Sequence, residues 1–284
     1  MTEVSFNNLI SQDLGKPLVS SGMGRELSLP KDLNLEMLVS QLVDLVTKYK
    51  LVIIRDLDLT EAGFRNFLSS LGLPVQHKGD QASVGYGFGD ILKLDGGFQE
   101  TKVVTGRGPL PLHSDGVLLS TQIDLIVFYC VASSEGSQSG STFVCDQLTA
   151  LREAPPSLLK KIKENGIEYS VVEKGFFTTV ADKDWFPINA FHSHNGEDVL
   201  KIALPFPKGS PTSWKARVAN LLDIESEKLL ADLSKFLEQP RYTYRHRWKT
   251  GDLMLVDNHT TLHGRDAIEG DSVRQIWRGQ ALLR

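Results

Sequence analysis

Three side chains in this sequence are of the types that hold a redox-active metal. His113 and Asp115 stand two apart in Pro111-Leu112-His113-Ser114-Asp115-Gly116, and His263 stands in Thr260-Thr261-Leu262-His263-Gly264-Arg265 near the other end. The pair is expected at the start of a strand, where residues i and i+2 share a face about 7 Å apart, so that one ion can reach both. Two imidazoles and one carboxylate suit non-haem iron(II) and leave three positions open for other reactants. By itself a His-x-Asp pair is far more often a surface turn, and its weight comes from the residues around it.

Those residues can bind anions. Arg274 and Arg278 follow His263 by eleven and fifteen positions on what reads as the last strand, and Gly140-Ser141-Thr142 lies between the two halves of the metal set. An arginine fork matches a carboxylate with two charge-assisted hydrogen bonds, and a threonine hydroxyl can donate a third. Since 274 and 278 differ by an even number, both side chains can point to the same face of a strand. Without the upstream histidine, either arginine would read as a surface ion pair worth little.

The whole arrangement resembles the taurine dioxygenase (TauD/TfdA-like) superfamily of Fe(II)- and 2-oxoglutarate-dependent oxygenases, over most of the chain from about residue 25 onward. Leu51-Val52-Ile53-Ile54-Arg55-Asp56-Leu57-Asp58-Leu59-Thr60 is similar to that family's early strand and following helix start. The resemblance implies that His113, Asp115 and His263 bind Fe(II), with 2-oxoglutarate and O2 as co-substrates. It further implies that Thr142 and Arg274 hold the far carboxylate of 2-oxoglutarate and that Arg278 faces an acidic small-molecule substrate or the co-substrate. The implied fold is mainly β with flanking helices, a double-stranded β-helix or jelly roll. Pro111 to Gly116, Tyr244-Arg245-His246-Arg247-Trp248, Asp257-Asn258 and Leu262 to Arg265 look most similar to natural-product members, among them enzymes acting on isonitrile derivatives of amino acids. The presence of Asp115 argues against halogenation, because halogenases of this fold carry a small residue there. Hydroxylation, desaturation and related oxidations stay open. Two alternatives from other classes are a jelly-roll metal hydrolase or isomerase and a non-catalytic small-molecule-binding protein.

Other candidates carry weaker patterns. Gly85-Tyr86-Gly87-Phe88-Gly89 lacks the following helix that a phosphate loop needs, so an active-site loop is expected, with Tyr86 and Phe88 as substrate contacts. His192 and His194 fall in an aromatic stretch and are expected at the substrate pocket or its lid, with His192 the candidate contact. His246 alternates with Tyr244 and Trp248 and reads as a satisfied structural histidine, His259 as a local hydrogen-bonding group, and His77 has no partner pattern.

Positioning these residues requires strands early and late. Apolar spacing predicts a helix over 34–48 feeding a strand at Leu51–Ile54, then a helix capped by Thr60, faced by Phe64, Phe67, Leu68 and Leu71, and stopped by Gly72. Short strands are expected at Ile91–Leu94, Lys102–Val104 and Leu125–Val131, and again at Tyr242–Trp248, Leu253–Asn258 and Ser272–Leu283. Helical patterns cover 147–165 and 212–238, the second split near Asp223. A single domain over 1–284 is the economical reading, with a helical and aromatic insertion at about 147–240.

Bulk properties fit such an enzyme. The 284 residues are 41% apolar and 23% charged, enough for a substantial core, and the net charge of -4 gives no basic field for nucleic acid. Cys130 and Cys145 lie in apolar stretches and are expected as free thiols. No apolar run suits a bilayer span or a secretory leader, so a cytoplasmic location with a small-molecule substrate is expected, and homo-oligomer formation is left open.

Overall fold

A computed structural model describes residues 14–29, 34–76, 89–95, 102–119, 121–134, 139–174, 176–177 and 184–283. In chain order the strands are β1 (Arg25–Ser28), β2 (Leu51–Arg55), β3 (Gly72–Pro74), β4 (Ile91–Leu94), β5 (Leu110–His113), β6 (Leu125–Ser133), β7 (Thr142–Asp146) and β8 (Ile167–Val171). They continue as β9 (Phe186–Ile188), β10 (Phe191–His194), β11 (Glu197–Leu200), β12 (Trp214–Val218), β13 (Thr243–His246), β14 (Leu253–Asp257), β15 (Thr261–Arg265) and β16 (Arg274–Leu283). The helices are α1 (Val39–Tyr49), α2 (Glu61–Leu71), α3 (Gln147–Glu153), α4 (Pro156–Asn165) and α5 (Asp223–Leu237).

A seven-stranded sheet runs β1-β2-β14-β6-β16-β3, with β4 also on β16, and a four-stranded sheet runs β13-β7-β15-β5. Period-two alternation divides the large sheet's side chains cleanly between two cores. Val52, Ile54, Leu125, Val127, Tyr129, Leu253 and Leu255 pack beneath α1 and α2. Their neighbours Leu51, Ile53, Ile126, Phe128, Cys130, Met254 and Val256 point the other way and meet Val144 of the small sheet. The space between the sheets is therefore a true interior, and an inward position on β5, β7, β15 or β16 faces it. This is the double-stranded β-helix with helices packed outside, as expected. Thr60 caps α2 by accepting from the Gly63 amide, and Phe64, Phe67, Leu68 and Leu71 form its buried face.

Several local expectations need correction. Lys102–Val104 is irregular and not a strand, because the carbonyls of Val103 and Val104 are taken by the Arg265 guanidinium and not by a ladder. The pattern over 147–165 is two helices, α3 and α4, interrupted before Pro155-Pro156, where a residue preceding proline is pushed out of the helical region. Residues 214–218 are strand β12, paired antiparallel with β8, and only α5 is helical in the second segment. The period-two set Trp214, Ala216 and Val218 packs into the apolar cluster of the 147–240 segment, which overrides the helical spacing. That cluster is continuous with Leu110, Leu112, Phe143, Cys145 and Leu262 on the outer face of the small sheet. Among the described residues no helix is long and apolar enough to cross a membrane.

Candidate active site

His113 is the last residue of β5, not the first of a strand as expected, and Asp115 lies in the turn beyond it. The chain leaves the ladder because Gly116 has φ +84, and a Cβ there would come within 2.1 Å of the Thr121 carbonyl oxygen. Asn258 secures this turn. Its side chain accepts from the Asp115 amide at 2.9 Å and donates to the carbonyls of Asp115 and Ile123 at 3.1 and 2.9 Å. His263 enters from β15, in register with His113.

The three side chains converge. Their candidate ligand atoms all lie within 4.8 Å of one another. Asp115 Oδ1 is 3.5 Å from His113 Nε2 and 3.7 Å from His263 Nε2. His113 Nδ1 sits 2.8 Å from the Pro111 carbonyl, so the proton belongs on Nδ1 and the Nε2 lone pair faces the cluster. Burial would raise the Asp115 carboxyl, yet the Arg278 guanidinium, with His263 and His113, holds it well below the usual carboxylate range. Burial, reinforced by His113 and Arg278, pushes the His263 imidazole down to about 3 despite Asp115, so it stays neutral and able to donate a lone pair. An ionised carboxylate and a neutral His263 imidazole, converging with the His113 ring, suit a divalent cation, and the residues fit one.

A second cluster lies along β16 and β7. Arg274 is 4% exposed, its Nε donates to the Gly140 carbonyl at 2.7 Å, and one Nη donates to Thr142 Oγ1 at 3.1 Å. Among the described residues its other Nη has no hydrogen-bond partner and no carboxylate pairs with it. Burial pushes this guanidinium down to about 10. A buried cation with an idle donor is costly unless an anion completes it. Thr142 Oγ1 accepts from Arg274 and from Trp248 Nε1, at 3.1 and 3.0 Å, which turns its own proton outward as a donor. Nothing in the sequence marks Trp248 for this role: it alternates with Tyr244 and His246, and only the fold brings its indole N–H to Thr142 on β7.

Arg278, also inward on β16, stands beside Asp115 with one Nη 3.4 Å from each carboxylate oxygen. Gln280, which no sequence pattern marks, donates to Asp115 Oδ2. Aromatic rings flank the histidines: Trp214 lies 5.7 Å from the His113 ring, Phe206 and Phe177 pack on Trp214, and Phe128 meets His263 edge-on. Phe176 packs against both the inter-sheet interior and the cluster outside the small sheet. His192 is exposed on the β10–β11 hairpin with its ring on the Asn189 carbonyl, and the structure does not bring it to the histidine cluster. His194 stacks on His259, whose ring is held by Asp124 at 2.7 Å. His246 is buried against Asp252 at 3.0 Å. Tyr86, Phe88 and His77 lie outside the described residues.

A jelly roll whose mouth gathers two histidines, one carboxylate and a buried arginine has the architecture of an iron- and 2-oxo-acid-dependent oxygenase. The chain belongs to the taurine catabolism dioxygenase TauD, TfdA family, whose model matches residues 12–280. It is an Fe(II)- and 2-oxoglutarate-dependent oxygenase. It is 28% identical over 246 residues to a tyrosine isonitrile desaturase of Erwinia amylovora, covering 86% of this chain and 80% of that one. It is 24% identical over 242 residues to the 3-((Z)-2-isocyanoethenyl)-1H-indole synthase of Fischerella ambigua, covering 84% and 85%. Among solved structures, PvcB of Pseudomonas aeruginosa superposes with a TM-score of 0.69 at 22% identity, covering 95% of this chain and 94% of that one. Family membership decides against the hydrolase and the non-catalytic binder.

Proposed function

We propose that His113, Asp115 and His263 hold Fe(II), that Thr142 and Arg274 hold the far carboxylate of 2-oxoglutarate, and that the substrate is an isonitrile derivative of an aromatic amino acid. The observation that carries the co-substrate assignment is the idle, buried Arg274 donor beside an outward-turned Thr142 hydroxyl. Bound iron supplies the activation of O2 that lets a strong C–H bond be broken. The chain's residues select, orient and exclude water. Arg278 is poised for the substrate carboxylate, and Trp214, Phe206 and Phe176 offer an apolar wall for an aromatic ring.

The substrate class is supported by two relatives, one named for the desaturation of a tyrosine isonitrile and the other for the synthesis of an isocyanoethenyl indole, so both names join an isonitrile to an aromatic ring. Desaturation balances: two hydrogens leave the substrate, 2-oxoglutarate loses CO2 to become succinate, and O2 ends as one succinate oxygen and one water. The packing of the 147–240 segment onto the small sheet supports a single domain. The test supplies Fe(II), 2-oxoglutarate and O2 with synthetic tyrosine isonitrile, and with tyrosine as control. Succinate release stimulated by the isonitrile, with a product lighter by two hydrogens, or by two hydrogens and CO2, is expected. No stimulation by any aromatic isonitrile acid would overturn the substrate assignment while leaving the co-substrate site intact.

A further inference from the structure

Asp115 shares one neighbour between its two oxygens, an Arg278 Nη 3.4 Å from each, but its other contacts are divided. Oδ1 faces the two histidine Nε2 atoms at 3.5 and 3.7 Å, whereas Oδ2 accepts a hydrogen bond from the side-chain amide of Gln280. Gln280 is 4% exposed and stands two residues beyond Arg278 on β16, so both point inward. β16 is fixed along most of its length by β6, with Gln280 opposite Ile126, which gives the amide a rigid platform. Asn258 meanwhile clamps the main chain of Asp115. Backbone and carboxylate are therefore held by separate devices.

We propose that Gln280 is a positioning residue for the metal centre: by occupying Oδ2 it leaves Oδ1 alone to face the metal, so that Asp115 takes one coordination position and not two. This rests on His113, Asp115 and His263 being the metal ligands. Hydrogen bonding to a ligating carboxylate fixes its orientation, and loss of such a partner typically lowers metal affinity by about 10- to 100-fold. A bidentate Asp115 would also consume a position needed by 2-oxoglutarate or O2.

The test is anaerobic calorimetric titration of the metal-free protein with Mn(II), with no co-substrate, alongside its melting temperature. Gln280→Leu removes the donor; Gln280→Glu keeps volume and places an acceptor against Asp115. Both are expected to bind Mn(II) about tenfold or more weaker than wild type while the metal-free Gln280→Glu protein stays folded. The Fe(II)–2-oxoglutarate visible band should shift in position, which a purely structural role would not produce. Mn(II) affinity within twofold of wild type in either variant would overturn the proposal, as would loss of folding in both. If wild type itself bound no Mn(II), the ligand assignment would fall and this inference with it; normal wild-type binding with unaffected variants would sink the inference alone.

Discussion

His113 and His263 stand opposite one another as register partners across β5 and β15, with ring centroids 4.3 Å apart. Two residues 150 positions apart in sequence are thus set by a ladder, and not by loop conformation. Only the carboxylate comes from a turn, and Asn258 holds that turn at three backbone points. Ligands on rigid elements cost little to order when a metal binds.

Arg274 should respond to its anion in two opposite ways. Arg274→Met removes a buried cation with a donor unpartnered among the described residues, so the protein without co-substrate should melt no lower than wild type. The same variant should raise the KM for 2-oxoglutarate by at least tenfold. In wild type, adding 2-oxoglutarate with Mn(II) at about 100 times its Kd should stabilise the fold by about 2.7 kcal/mol, an effect the variant loses. Thermal melts with and without 2-oxoglutarate check both.

Trp248→Phe keeps the ring but removes the indole N–H that donates to Thr142 Oγ1. The hydroxyl is then free to turn, and a hydrogen bond of about 1 kcal/mol is lost. A several-fold rise in the KM for 2-oxoglutarate is expected, with kcat at saturation nearly unchanged. Steady-state kinetics at varied 2-oxoglutarate would show this, and an unchanged KM would remove Trp248 from the site.

Gly140 adopts φ +69, and a Cβ there would come 2.7 Å from Arg274 Cδ and 2.9 Å from Ile268 Cγ1. Gly140→Ala therefore combines left-handed strain of about 1–2 kcal/mol with displacement of the arginine. The expected result is a lower melting temperature together with weaker 2-oxoglutarate binding, whereas the equally left-handed Gly270, which has open space around it, should show the strain alone on substitution.

Both cysteines are free and buried, and burial pushes the Cys130 thiol up to about 11 and Cys145 up to about 12. At pH 8 the folded protein should be nearly inert to a thiol reagent such as Ellman's and should release two equivalents only on unfolding. Rapid labelling of either in the native state would contradict the packing described.

The candidate metal set and the arginine pair stand out in the sequence by side-chain type and spacing, whereas the roles proposed for Thr142 and Arg274 came from the family resemblance. The cores under α1 and α2 were legible for a similar reason: Leu51–Ile54 and Leu125–Cys130 are continuous apolar runs that a strand buried on both faces requires. What sequence hid are relations across the fold. Gln280 and Asn258 are ordinary polar residues until β16 and the end of β14 bring them to Asp115. Trp214 sits in a segment whose spacing suits a helix, but pairing with β8 makes it a strand and sets its ring beside His113. His192 looked like a pocket residue from its aromatic neighbours, yet its own hairpin turns it to solvent.

The most direct measurement is anaerobic reconstitution with Fe(II) followed by 2-oxoglutarate, recording the visible metal-to-ligand charge-transfer band. The band should appear in wild type, vanish in His263→Ala, and require far more 2-oxoglutarate in Arg274→Ala. Iron that binds without giving a band, or a band of undiminished strength in both variants, would contradict the assignment of these residues to the metal and its co-substrate.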